Sequence, residues 1–193
     1  MTSEFYPGNT RRMVTAFEGM RRIASGALPD VVRCAKPIAD RAKKPILIFD
    51  DKTSQPVEVD FRGTVDEAVG RVTPQESVPG PGRPKLGVVG REVTLLPRHW
   101  EWLNSQPGGA SVALRRLVEE ARKTSEENDR ARFSRDAAYR FLSAIAGNLA
   151  GFEEATRALF AANRAKFKRE MAEWPGDIRE HALKVAAESF VKK

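Results

Sequence analysis

The apolar positions of this chain change period several times, and each change marks an element. Residues 13–26, MVTAFEGMRRIASG, alternate apolar and polar about a Glu-Gly pair, the pattern of two short strands joined by a tight turn. From Leu28 the period lengthens. Val31, Val32, Ala35, Ile38, Ala39 and Ala42 fall on one helical face, with Asp30 in the first turn and Pro37 placed to bend or split the helix. Residues 46–49 are a continuous apolar run and residues 57–61 alternate again, so the turn-rich DDKTSQP between them predicts a hairpin. Thr64 with Glu67 three positions on is the signature of a capping box opening a helix over TVDEAVGRV. The sum is a ββαββα module over residues 1–72, a small α+β domain.

Residues 73–90, TPQESVPGPGRPKLGVVG, hold four prolines and four glycines and read as a basic linker or arm, too poor in apolar residues for a core. A strand-helix-helix unit follows over residues 91–125. Arg91 to Leu96 has strand character, and Pro97 leads into RHWEWLNSQ, where Trp100 and Leu103 share a face and Trp102 lies off it. Pro107-Gly108-Gly109 stops that helix. A second begins near Ser111, with Leu114, Leu117, Val118 and Ala121 on one side and Arg115, Arg116, Glu119, Arg122 and Lys123 on the others. Residues 126–193 predict further helices. Their stripes run through Phe133, Ala137, Phe141, Ile145 and Leu149, then Phe152, Ala155, Leu159 and Phe160, then Phe167, Met171 and Trp174, and the aromatics among them are expected in a core. The expected architecture is a small α+β module, a linker and a mainly helical C-terminal half.

Composition narrows the classes. The 193 residues are 41% hydrophobic and 31% charged, and no run of 18 apolar residues offers a membrane span. The opening MTSEFYPGNTRRM lacks the apolar core of a secretory signal, and one cysteine, Cys34, cannot form an internal disulfide, so a reducing cytoplasm is expected. A net charge of +7 favours polyanionic partners, although the excess is spread along the chain and a mildly basic solvated surface accounts for it as well. The densest basic stretch is central, where Arg83, Lys85, Arg91, Arg98, Arg115 and Arg116 face only Glu92 and Glu101.

Catalytic chemistry finds little support. Asp50 and Asp51 follow a strand, where phosphoacceptor or metal-binding carboxylates occur, but they open directly into a turn that favours aspartate for its local hydrogen bonds. His99 and His181 lack companion ligands at metal-binding spacing. With no phosphate loop, nucleophile elbow or paired-acid signature, the expectation is a protein that is not an enzyme and carries no cofactor.

Three resemblances bear on function. Gly82-Arg83-Pro84-Lys85 resembles the core of the AT-hook, an extended peptide of the A·T minor groove, with Pro81 where a base is usual. The order strand, helix, glycine turn, helix resembles the ribbon-helix-helix DNA-binding dimers, most closely in GGASVALRRLVEEARK. That resemblance implies a homodimer through residues 91–123, an intersubunit ribbon in the major groove, and a phosphate held by amides around Ala110 to Val112. The ribbon would present either Arg91, Val93 and Leu95 or Glu92, Thr94 and Leu96, and neither set is a row of polar base-reading groups. An ordinary helical element dressed with solvated arginines is the alternative. End to end, TAFEGMRRIASG, DVVRCAK, ILIFDD, the central GRPKLGVVGREVTLLPRHWEWL and GFEEATRALFAANRAKF resemble one bacterial family of unknown function, which implies no activity.

The sequence reading is therefore a double-stranded DNA-binding protein, regulatory or nucleoid-type, acting through Arg83, Lys85, Arg91, Thr94, Arg98, Ser111, Arg115 and Arg116. The alternative is a non-catalytic protein-interaction adaptor.

Overall fold

The structure, a computed structural model, describes residues 12–41, 44–73 and 89–190. It is a mixed α+β chain with a three-stranded antiparallel sheet and seven α-helices among those residues. The elements are β1 (Met13–Glu18), β2 (Arg21–Ala27), α1 (Leu28–Ala39), β3 (Ile46–Asp50), α2 (Val65–Val72), α3 (Pro97–Asn104), α4 (Gly109–Ile145), α5 (Phe152–Phe160), α6 (Arg164–Glu170) and α7 (Gly176–Val185). A 3-10 turn, Ala187–Phe190, closes the described chain. Two compact units divide it, one drawn from Met1–Pro74 and Arg130–Lys193, the other from Gln75–Asp129. Helix α4 belongs to the second unit up to Asp129 and to the first thereafter.

In the first unit the strand order is β2-β1-β3, so β1 is central and buried on both sides. Period-2 geometry sends Val14 and Ala16 to one face and Thr15 and Phe17 to the other, and all four are essentially inaccessible. Val14 and Ala16 pack with Ile48 and with Val31 of α1, while Val32 meets Ala68 and Val69 of α2. Across the sheet, Phe17 and Phe49 enter a larger core with Phe141 and Leu142 of α4, Leu159 of α5, Phe167 of α6 and Ile178 of α7. The sheet is thus the middle layer between two sets of helices.

Several local expectations hold. Gly19, at φ +57°, supplies the left-handed residue that the β1–β2 turn needs. Pro37 stays inside α1 without splitting it, although the helix ends at Ala39. The capping box forms as the sequence implies: Thr64 N–H donates to Glu67 Oε2 at 2.7 Å, and Glu67 N–H donates to Thr64 Oγ1 at 3.3 Å. Replacing Thr64 by alanine is expected to lower the stability of the first unit by about 1 kcal/mol in urea unfolding.

The finer ββαββα order is not what forms, and the hairpin expected from residues 46–61 is the reason. β3 pairs antiparallel with β1, and residues 57–61 make no strand. Their contact with β3 is an isolated bridge of Phe49 to Pro56 plus a bond from Val57 N–H to the Ile48 carbonyl at 2.8 Å. Pro56 has no N–H to continue a ladder. The alternation of Val57, Val59 and Phe61 still serves burial, since all three pack against the core around Val14 and Val31. A second difference is Phe133, expected in the core: it is 63% exposed, with the Arg132 guanidinium 5.3 Å from its ring centroid.

Candidate nucleic-acid interface

In the second unit, residues 91–96 are extended but pair with no other strand among the described residues, so the strand of the sequence reading is not formed within one copy. Leu96 caps α3, its carbonyl accepting from the N–H groups of His99 and Trp100, and Pro97 begins the helix where a missing N–H costs nothing. Pro107 and two glycines then turn the chain. Gly108 and Gly109 both hold positive φ, and a Cβ on Gly108 would press on Val112 at 3.1 Å, so this break cannot be relaxed into helix by substitution. Helix α4 begins at Gly109 and runs 37 residues without interruption.

Little of this unit is buried. Among residues 89–129 only Leu103 and Ala113 are inaccessible. Val93, Leu96, Trp100, Trp102, Val112, Leu117 and Val118 remain 36–56% exposed, and every side chain from Arg115 to Thr124 lies open.

Of the candidate nucleic-acid contacts, Arg91, Thr94, Arg98, Ser111, Arg115 and Arg116 are all exposed, whereas Arg83 and Lys85 lie outside the described residues. Arg115 Nη2 donates to Ser111 Oγ at 3.0 Å, the i, i+4 contact of one helix face. Arg116 points elsewhere, since successive helical residues diverge by about 100°. Among the described residues Arg91, Arg98 and Arg116 have no ion-pair partner, while Arg122 bonds to Glu119 at 3.0 Å. The structure therefore joins Ser111 with Arg115 and leaves the remaining cations separate and solvated.

The first unit holds the other polar constellation. Asp50, 4% exposed, receives the N–H groups of Lys52 and Thr53, the Thr53 hydroxyl and Arg12 Nε, at 2.9–3.1 Å. Burial raises its pKa, but these donors outweigh burial and hold the carboxyl below its ordinary value. Asp51 accepts the Thr15 hydroxyl at 2.6 Å and Lys184 Nζ at 2.8 Å. Asp50 thus holds the turn after β3 and Asp51 ties that turn to β1 and α7, and neither lines either of two surface clefts. Those clefts, of about 420 and 590 Å³, are bordered by Glu18, Arg21, Lys44 and Asp177, and by Asp136, Tyr139, Arg140 and Ser143. Among the described residues no group of three or more His, Cys, Asp and Glu is placed to hold a metal, and no helix is long and apolar enough to cross a membrane.

The sequence reading passed over His181 beyond its spacing from His99. It is 1% exposed, its ring edge-on to Phe17 at 5.3 Å and tilted against Phe141 at 4.5 Å, and neither ring nitrogen has a hydrogen-bond partner among the described residues. Burial pushes its pKa down to about 4. Nothing in the sequence signals this, because the aromatic neighbours come from β1 and from α4.

No curated protein and no solved structure matches this chain. One family profile does, over residues 13–186, and by that match the chain belongs to DUF2239, a family described as uncharacterised proteins conserved in bacteria.

Proposed function

We propose that the second unit is a duplex DNA-binding element that works as a homodimer, without catalytic activity of its own. The observation that carries the reading is exposure: Val93, Leu96, Trp100, Leu117 and Val118 stand open on the same unit as Arg91, Arg98 and Arg116, which have no ion-pair partner among the described residues. Apolar groups of this size are covered by a partner, and an extended segment with free backbone groups is satisfied by a second copy running antiparallel to it. The guanidiniums, planar, weakly hydrated and without an ion-pair partner among the described residues, become phosphate contacts. Ser111 and the amides at the start of α4 would fix register on the backbone, with Thr94 on the paired segment.

A protein-interaction adaptor would use the same exposed apolar residues for a different chain. The unpaired arginines favour DNA, since an adaptor face has no need of uncompensated positive charge.

Titration of the full chain against generic duplex at two salt concentrations is the test. Affinity should fall steeply with salt, each phosphate contact contributing about 0.9 to the slope of log K against log salt. The double variant Arg115→Ala, Arg116→Ala should lower that slope by roughly 2 to 4 in a dimer. Binding that is absent at low salt, or a slope unchanged by the double variant, removes the DNA reading and leaves the adaptor.

A further inference from the structure

We infer that the cleft along the last turns of α4 is a binding site for a guanine base, presented either by a free nucleotide or by an unpaired position in a single strand. The cleft lies wholly in the first unit, so it does not rest on the DNA reading of the second.

Helical spacing builds the site. Asp136, Tyr139, Arg140, Ser143 and Ala144 follow one another at i, i+3, i+4, i+7 and i+8, so one face of α4 carries them all, and they border an open cleft of about 590 Å³. All five are exposed. Two of the side chains are held by neighbouring elements: the Tyr139 ring meets Phe160 of α5 in a T-shaped contact, centroids 5.6 Å apart, and Arg140 Nη1 donates to the Thr53 carbonyl in the turn after β3. Arg140 makes no ion pair with Asp136, the acid one turn before it. Asp136 therefore has neither a hydrogen-bond donor nor a counter-ion among the described residues, and the same is true of the Ser143 hydroxyl.

The cleft thus offers a carboxylate that only accepts, a hydroxyl and a guanidinium that donate, and an aromatic ring 43% exposed. An unpaired base suits the ring, because exposed aromatic side chains stack on bases freed from a duplex. Of the common bases only guanine suits the polar groups. Its N1–H and N2–H stand side by side for one carboxylate to accept, which leaves O6 and N7 for the Ser143 hydroxyl and the remaining N–H groups of Arg140. Adenine and cytosine would each set a ring-nitrogen lone pair against Asp136, and thymine brings it a single N–H. A cationic ligand would satisfy Asp136 but would meet the charge of Arg140 beside it.

The test is a titration of the isotope-labelled full chain with GMP, AMP and xanthosine monophosphate, followed through the backbone amide resonances of α4. GMP should move the amides of residues 136–144 and bind about 10- to 100-fold more tightly than AMP, the range that one good bidentate pair sets. Asp136→Asn should exchange the preference of guanine for xanthine, because the new amide has one acceptor for N1–H and one donor for the xanthine O2, where guanine carries a second N–H. A carboxylate that serves only solubility gives no such exchange. Tyr139→Leu should weaken GMP and AMP alike, by about ten-fold, as the loss of a stacking ring does. A short thymidine strand with one central guanine separates the two sources: binding tighter than GMP assigns the site to single strands, and binding no tighter assigns it to the free nucleotide. Amides that respond to neither GMP nor the strand, or a base preference that Asp136→Asn leaves unchanged, overturn the inference. Neither result touches duplex binding by the second unit, which the Arg115 and Arg116 variant reports separately.

Discussion

Replacing Phe141 by alanine is expected to cost the first unit about 3 to 5 kcal/mol. Phe141 is wholly buried at the point where α4 crosses the sheet, with ring centroids 5.5 Å from Phe17 of β1, 5.2 Å from Phe49 of β3 and 4.5 Å from His181 of α7. Four elements therefore lose a shared contact when one ring is removed. The rigid sheet cannot collapse to fill the space, so the cavity term adds to the lost transfer energy. All three contacts are edge-on or tilted, arrangements that favour aromatic pairs beyond their area. The control is Phe160→Ala, at a ring 49% exposed that touches Tyr139, where the loss should be far smaller. The check is urea unfolding followed by near-ultraviolet circular dichroism, with the buried Trp174 as a native reporter. A loss under 1 kcal/mol for Phe141→Ala would mean that the core on this side of the sheet is not packed as described.

How far the fold could be read in advance depends on which interactions make each element. Where local chemistry decides, the sequence was legible. The Gly19 turn, the Thr64 and Glu67 cap and the Pro107-Gly108-Gly109 break are each set by residues within four positions of one another. Where the partner is distant, periodicity reports only that a side is buried. Val57, Val59 and Phe61 alternate because they pack on a core, and a strand is one way among others to achieve that. Likewise the partner of β3 is β1, whose residues lie 28 to 36 positions earlier and which no local pattern names. The join near residue 125 is a further case. The stretch SEENDRARFSRD contains no proline or glycine, so α4 continues through it even though it carries no apolar stripe.

The candidate interface was legible in composition and not in geometry. Basic residue types could be counted, and their exposure follows from their charge. Whether they converge could not be counted. Arg115 and Arg116 are neighbours in sequence yet leave the helix in different directions, and only Arg115 meets Ser111. The exposed apolar stripe of α4 had the same spacing as a core stripe, and a single chain gives no sign of whether its cover comes from itself or from a second molecule.

Acidification from pH 6.5 to pH 4 should cost the first unit about 3 kcal/mol through His181 alone. The imidazole is shut between Phe17 and Phe141 with no acceptor for a second proton, and burial brings its pKa from an ordinary 6.5 down to about 4. Nearby charges modulate this: Asp51 raises the value, Lys184 and Arg22 lower it, and Glu180 raises it. Between these two pH values the unfolded chain takes up a proton that the folded chain refuses. Stability is therefore complete above pH 6.5 and declines as pH falls, by about 1.4 kcal/mol per unit across the window. Asp50 acts with the same sign but lower down, since its carboxyl is already held below 3.8 and its contribution is lost only as pH falls further. His181→Leu, which keeps an apolar group of similar size without a titrating nitrogen, should flatten the unfolding free energy between pH 4 and 6.5 while leaving the more acidic loss intact. A wild-type slope that persists in the leucine variant would place the titrating group elsewhere, and a His181 imidazole resonance titrating near 6.5 by NMR would show that the ring is not sealed in the aromatic layer.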